Sequence, residues 1–151
     1  LAGLVPAAAG AVAAEPADGK TLPQFCHYVG HHDALKNAMT VRENIAFWSC
    51  MLGGKGDGDC LAAFKMQRLA DDPVQLLSAG QRRRLSLSRL LAAPRPIWLL
   101  DEPMTALDVE SQKTLAGIVD RHLAEGGIAL AAIHGEGLRK PDHVITLKGA
   151  A

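Results

Sequence analysis

Ile97-Trp98-Leu99-Leu100-Asp101-Glu102 decides the reading of this chain. Four consecutive apolar residues fit a strand buried on both faces of a parallel sheet, and the two carboxylates fall at its C-terminal tip, where open α/β sheets bind ligands. An Asp there can hold Mg²⁺ directly or through water. A Glu beside it can orient or deprotonate a water that attacks a phosphate. Taken alone, the stretch is equally well explained by a strand meeting solvent at an acidic turn.

The surrounding pattern supports a sheet. Pro94 and Pro96 end an upstream helix expected over about 79–92, in which Leu85, Leu87, Leu90 and Leu91 form the apolar side. Downstream, a helix is expected over 110–124, closed by Gly126-Gly127, then an all-apolar strand, Ile128 to Ile133, and a last strand over 144–147. Toward the N-terminus, Phe25 to Val29 reads as a strand and Gly10 to Ala14 as a short one; Leu1 to Val5 reads as a last helical turn stopped by Pro6. Thr40 and Glu43 form a capping-box pair that starts a helix whose apolar face is Val41, Ile45, Trp48 and Leu52, ended by Gly53-Gly54. A further helix is expected over 59–69. Strands alternating with helices give an α/β domain on a parallel sheet.

Composition narrows the classes. Lys+Arg and Asp+Glu are both 16, for zero formal charge, so a nucleic-acid binder, which favours a basic excess, starts low. Cys26, Cys50 and Cys60 are odd in number and widely spaced, which fits reduced thiols. No run of about 18 apolar residues is present to span a bilayer. The start at Leu1, without Met or a basic leader, reads as cut from a longer chain.

Other residues could carry chemistry beside the carboxylates. Leu77-Ser78-Ala79-Gly80-Gln81 opens the helix before the strand, where small residues let backbone N–H groups approach an anion. A plain N-cap by Ser78 is physically sufficient for that residue. Arg82-Arg83-Arg84 reads mainly as a solvated helix face. His134 ends the strand from Ile128 and would share the sheet edge with Asp101 and Glu102. His27, His31 and His32 lack a carboxylate at ligand spacing, so a metal cluster there is the lesser reading. Cys26-His27 lacks a CxxCH heme-attachment pattern, and a core-edge position suits Cys26 better.

Together these residues resemble the ABC-transporter ATPase family over nearly the whole chain. Leu77 to Gln81 resembles that family's signature motif, Ile97 to Glu102 its Walker B strand, Ala106-Leu107-Asp108 its D-loop, and His134 its switch histidine. The resemblance implies a P-loop NTPase-type sheet with a small helical subdomain over about 33–80, the remainder being a RecA-like core. It implies ATP and Mg²⁺ as cofactors, with Asp101 coordinating Mg²⁺, Glu102 as general base and His134 contacting the γ-phosphate. Ser78, Ala79, Gly80 and Gln81 would face the ATP of an opposite subunit in a head-to-tail homodimer, and Asp108 would couple the two sites.

Two departures stand out. His31 occupies the slot of the family's Q-loop glutamine, in Tyr28-Val29-Gly30-His31, where it could bind water or metal-bound water. No G-x-x-x-x-G-K-[ST] phosphate loop occurs; Gly19-Lys20-Thr21 imitates its end, but Pro23 follows at once, so it reads as a turn. The first strands and the phosphate loop are therefore expected upstream of Leu1. The piece alone is expected to expose the faces of 97–100 and 128–133, to aggregate and to hydrolyse ATP negligibly.

His31, Lys36, Thr40 to Asn44 with Phe47-Trp48, and Leu77 to Arg84 most resemble the ATP-binding subunit of the bacterial heme exporter of cytochrome c biogenesis. That resemblance implies a peripheral subunit on the cytoplasmic face of the inner membrane, joined to transmembrane permease partners near His31 and the helix from Thr40. Its work would be heme export or release of heme from a chaperone complex. An ATPase for a lipid or lipoprotein cargo, or a non-catalytic partner-binding piece, stays open at this point.

Overall fold

The computed structural model describes residues 2–6, 8–13, 19–54, 60–133 and 138–146. Three strands, β1 (Cys26–Val29), β2 (Ile97–Asp101) and β3 (Ile128–Ala132), form a parallel sheet in the order β1-β2-β3. Cys26 pairs with Ile97, Val29 with Leu100, Ile97 with Ile128 and Asp101 with Ala132. All three strands therefore end at the same edge, which carries Gly30, Asp101 and Ile133.

The helices are α1 (Val41–Leu52), α2 (Cys60–Ala63), α3 (Ala79–Ser88) and α4 (Val109–Ala124). Helix α1 starts as its sequence predicts. The Thr40 hydroxyl accepts from the Glu43 N–H at 3.2 Å and the Glu43 carboxylate accepts from the Thr40 N–H at 2.8 Å, a cap that contributes about 1 kcal/mol. Val41 and Ile45 are fully buried on its inner face, while Trp48 is half-buried. Gly53 closes the helix in the left-handed region at φ 77°, which a residue without Cβ adopts freely.

Asn44 shows why α1 cannot slide. It is fully buried, accepts from the Lys36 N–H at 2.8 Å, and donates to the Lys36 and Thr40 carbonyls at 3.0 Å each. Every polar atom of that amide is thus satisfied by the loop that precedes the helix. Behind α1 lies the core, where Val29 and Leu100 of the sheet meet Leu85 and Leu87 of α3 and Leu115 of α4.

Several expected elements differ. Residues 3–5 form bends rather than a helical turn, and no strand occurs among residues 10–13; Leu1 and Ala14 lie outside the described residues. The expected helix over 59–69 is only α2 followed by a 3-10 turn over Gln67–Leu69. Residues 144–146 are not a strand, and Leu147 lies outside the described residues.

The exposure expected for the faces of 97–100 and 128–133 is found at β3 and not at β2. Strand β3 is largely exposed, with Ile128 at 54% and Leu130 at 37%. Among the described residues it pairs with β2 alone, so it stands at the sheet edge. Strand β2 keeps neighbours on both sides, and Trp98, Leu99 and Leu100 stay buried.

Candidate functional site at the strand tips

Asp101 is the last residue of β2, and Glu102 turns the chain away from the sheet with φ 44°. A non-glycine residue in that region costs on the order of 1–3 kcal/mol and persists only where its surroundings over-determine it. Here the Glu102 N–H donates to the Ala132 carbonyl at 2.9 Å, and its own carbonyl accepts the Thr105 N–H at 3.2 Å. The Thr105 hydroxyl donates to one Glu102 carboxylate oxygen at 3.3 Å. Ile133 and Thr105 line a small cavity of about 60 Å³ beside Glu102. The two carboxylates are half-buried and hard, the donor chemistry that suits Mg²⁺.

His31 follows the end of β1 and is exposed, its ring 5.7 Å from that of His32. The register that sets Val29 beside Leu100 brings the Gly30–His31 turn next to the Asp101–Glu102 tip. His134, the expected switch histidine, lies outside the described residues.

The start of α3 has a structural explanation of its own. The Ser78 hydroxyl accepts from the Gln81 N–H at 3.3 Å, and the Gln81 side chain accepts from the Ser78 N–H at 2.8 Å, a reciprocal capping box. A Cβ on Gly80 would stand 3.0 Å from the Ala106 carbonyl oxygen, so a side chain there would crowd the loop after the carboxylates. Ala79 is exposed beside them. Asp108 caps α4 by accepting from the Ser111 N–H at 2.7 Å, and that hydrogen bond holds its carboxyl below the ordinary range. The Asp-x-x-Ser spacing before an apolar-periodic run carried this cap in the sequence.

Arg83 departs from the solvated-face reading, while Arg82 and Arg84 keep part of their surface exposed. Arg83 is buried, with 5% of its side chain exposed, and reaches the carbonyls of Gly30, Asp101 and Glu102. Arg89 is also buried; its guanidinium lies 4.6 Å from the Trp48 ring centre and donates to the Ser86 carbonyl at 3.0 Å, tying α1 to the end of α3. Burial lowers its pKa to about 10. Helix α3 is enclosed on most sides from Leu85 onward, which a run of three arginines conceals in the sequence.

The family profile described as ABC transporter matches residues 1–105, more than half of the chain. The chain belongs to the ABC transporter family. Over 137 residues it is 55% identical to the cytochrome c biogenesis ATP-binding export protein CcmA of Nitrobacter winogradskyi, covering 89% of this chain and 68% of that protein. The protein of the same description from Bradyrhizobium diazoefficiens is 50% identical over 137 residues, with the same coverage of 89% and 68%. Among solved structures, the ATP-binding cassette MJ0796, in a dimeric post-hydrolysis state bound to ADP and Pi, is 24% identical. It superposes with a TM-score of 0.65 over 73% of this chain and 52% of that one, a likeness of fold.

In this ABC transporter chain a groove of about 520 Å³ lies away from the carboxylates. It is lined by Pro94, Pro96, Gly126 and Gly127, which precede β2 and β3, and so opens at the opposite end of the strands. Ligands of parallel sheets bind at the C-terminal ends, and the chemistry-bearing side chains stand there, so the smaller cavity beside Glu102 marks the candidate site.

His27 and Cys26 are structural. His27 is buried in β1 and donates from Nε2 to the Ala93 carbonyl at 2.7 Å. None of Cys26, Cys50 and Cys60 is in a disulfide, and burial raises the Cys26 thiol pKa. No group of three potential metal ligands occurs among the described residues. Burial pushes the His27 pKa down to about 4, from an ordinary value near 6.5. The folded chain thus binds the proton more weakly than the unfolded one. Stability present above pH 6.5 falls as the pH drops toward 4, by about 2 kcal/mol between pH 7 and pH 5. Urea midpoints measured across that range should show the loss, and His27→Gln should flatten it.

Proposed function

We propose that this chain is the ATP-binding and ATP-hydrolysing subunit of an ABC exporter that serves cytochrome c biogenesis, in heme export or release of heme from a chaperone. The 55% identity to the Nitrobacter winogradskyi export protein carries the reading. The pairing of Asp101 and Glu102 at the tip of a buried strand supports its chemistry.

Asp101 would hold Mg²⁺, which when bound neutralises charge on the transferred phosphate. Glu102 would orient the attacking water and take its proton, its backbone held rigidly enough to aim the carboxylate. His31 would hold a water at the adjacent strand end, and His134 would meet the γ-phosphate. Ser78, Ala79, Gly80 and Gln81 would face a nucleotide held by a second copy in a head-to-tail homodimer, with Asp108 linking the two sites. The Gly80–Ala106 approach supports that last assignment, because it joins the start of α3 to the loop carrying Asp108.

The helices within 33–80 would form the subdomain that meets transmembrane permease subunits, making the chain peripheral to the cytoplasmic face of a bacterial inner membrane. No helix among the described residues is long and apolar enough to cross a membrane itself.

Complementation tests the cargo. In a strain lacking its cytochrome c biogenesis ATP-binding protein, the intact gene product is expected to restore heme-stained c-type cytochromes, and Asp101→Asn is not. Restoration of a lipid-export defect instead, with c-type cytochromes still absent, would sink the cargo assignment while keeping the ATPase.

A further inference from the structure

Arg83 sits on α3, two residues after the capping box, and its guanidinium is buried where β1 and β2 end. Nη2 donates to the Glu102 carbonyl at 2.8 Å and to the Asp101 carbonyl at 3.1 Å. These are the two carbonyls that flank the Glu102 Cα. With the Glu102 N–H already fixed on Ala132, one planar NH₂ group holds both peptide planes around a residue at φ 44°. On its other arm, Nη1 donates to the Gly30 carbonyl at 2.8 Å and lies 3.4 Å from the Asp33 carboxylate. The Ser86 hydroxyl, one turn on, donates to the Asp33 carbonyl at 3.1 Å.

We propose that Arg83 is a positioning residue for hydrolysis: it sets the left-handed backbone that aims Glu102 and locks the Gly30–Asp33 loop, which bears His31, to the same tip. The inference rests on the ATPase reading above. A buried guanidinium is poor evidence for stability, since its desolvation offsets much of what it gains. Arg83 also leaves Nε buried without a partner among the described residues, an arrangement that added stability alone does not explain. What it supplies is geometry. A rigid fork reaches three carbonyls at two strand ends, which a lysine's single ammonium cannot reproduce.

The test uses the intact gene product assembled with its membrane partners, with ATP turnover, nucleotide affinity and melting temperature read together. Arg83→Met should lower kcat by ten- to thirtyfold and leave KM and nucleotide affinity within twofold, and Arg83→Lys should recover part of the loss. Because Arg83 acts through Glu102, Arg83→Met added to Glu102→Gln should reduce the residual turnover no further. Turnover within twofold of wild type in both Arg83 variants overturns the proposal. So does the same fractional loss in the Glu102→Gln background, which is what a merely structural role produces. Should Arg83→Met not fold, the Arg83→Lys and Glu102→Gln pair is read by the same criteria. Wild-type protein whose hydrolysis is insensitive to Glu102→Gln removes the ATPase reading and this inference together; Glu102-dependent turnover that ignores Arg83 removes only this one.

Discussion

Replacing Glu102 with Gln is expected to slow ATP hydrolysis by the intact gene product by about 10²- to 10⁴-fold, the range lost when a general base is removed. The change is nearly isosteric. Gln keeps an oxygen to accept the Thr105 hydroxyl, and the hydrogen bonds to the Glu102 backbone do not involve the side chain. Nucleotide affinity should therefore stay within about twofold, since only interactions made in the transition state are removed. Phosphate release and a nucleotide titration on the same preparations separate the two effects. A fall in turnover below threefold would mean that another group takes the proton, and the role given to Glu102 would have to be withdrawn.

The largest expected loss of stability follows from Trp98→Ala, at about 3–5 kcal/mol. Trp98 is 4% exposed in the central strand. Its ring stacks on His122 of α4 with centroids 3.8 Å apart and planes 5° from parallel, and it meets His27 edge-on at 6.5 Å. Truncation therefore opens a cavity between sheet and helix at once. The indole Nε1 has no hydrogen-bond partner among the described residues, so Trp98→Phe forfeits packing area but no hydrogen bond. Phe should lose well under half of what Ala loses. Urea unfolding of both variants checks the pair, and equal losses would show that the indole N–H matters in a way the structure does not indicate.

The parts legible in the sequence are those whose causes are local. The capping box at Thr40 and Glu43, the buried run Ile97 to Leu100 and the carboxylates after it each depend on neighbours a few residues apart, and each stands where it was expected. The burial of Arg83 was not legible, because its partners at Gly30 and Asp101 are distant in the chain, while its neighbours Arg82 and Arg84 suggest solvent. The cover over β2 was hidden for a similar reason: the face of 97–100 was expected to be exposed, and only the packing around the central strand keeps Trp98, Leu99 and Leu100 buried. At the site, the capping roles of Ser78 and Asp108 are local, and the Ser78 cap was readable. The approach of Gly80 to Ala106 is a tertiary fact that no spacing announces.

The strand register also sets the order in which the molecule can assemble. Pairing Ile97 with Ile128 closes a loop less than half as long as pairing Cys26 with Ile97. The shorter closure loses less chain entropy, and parallel pairings at long separation are slow to form. The β2–α4–β3 unit is thus expected to pair first and β1 to dock onto it later. Arg83 meets its Gly30 partner only when that docking is complete, so the clamp on Glu102 closes as a last step. A chain caught before that step would hold a sheet and its carboxylates without the geometry that aims them.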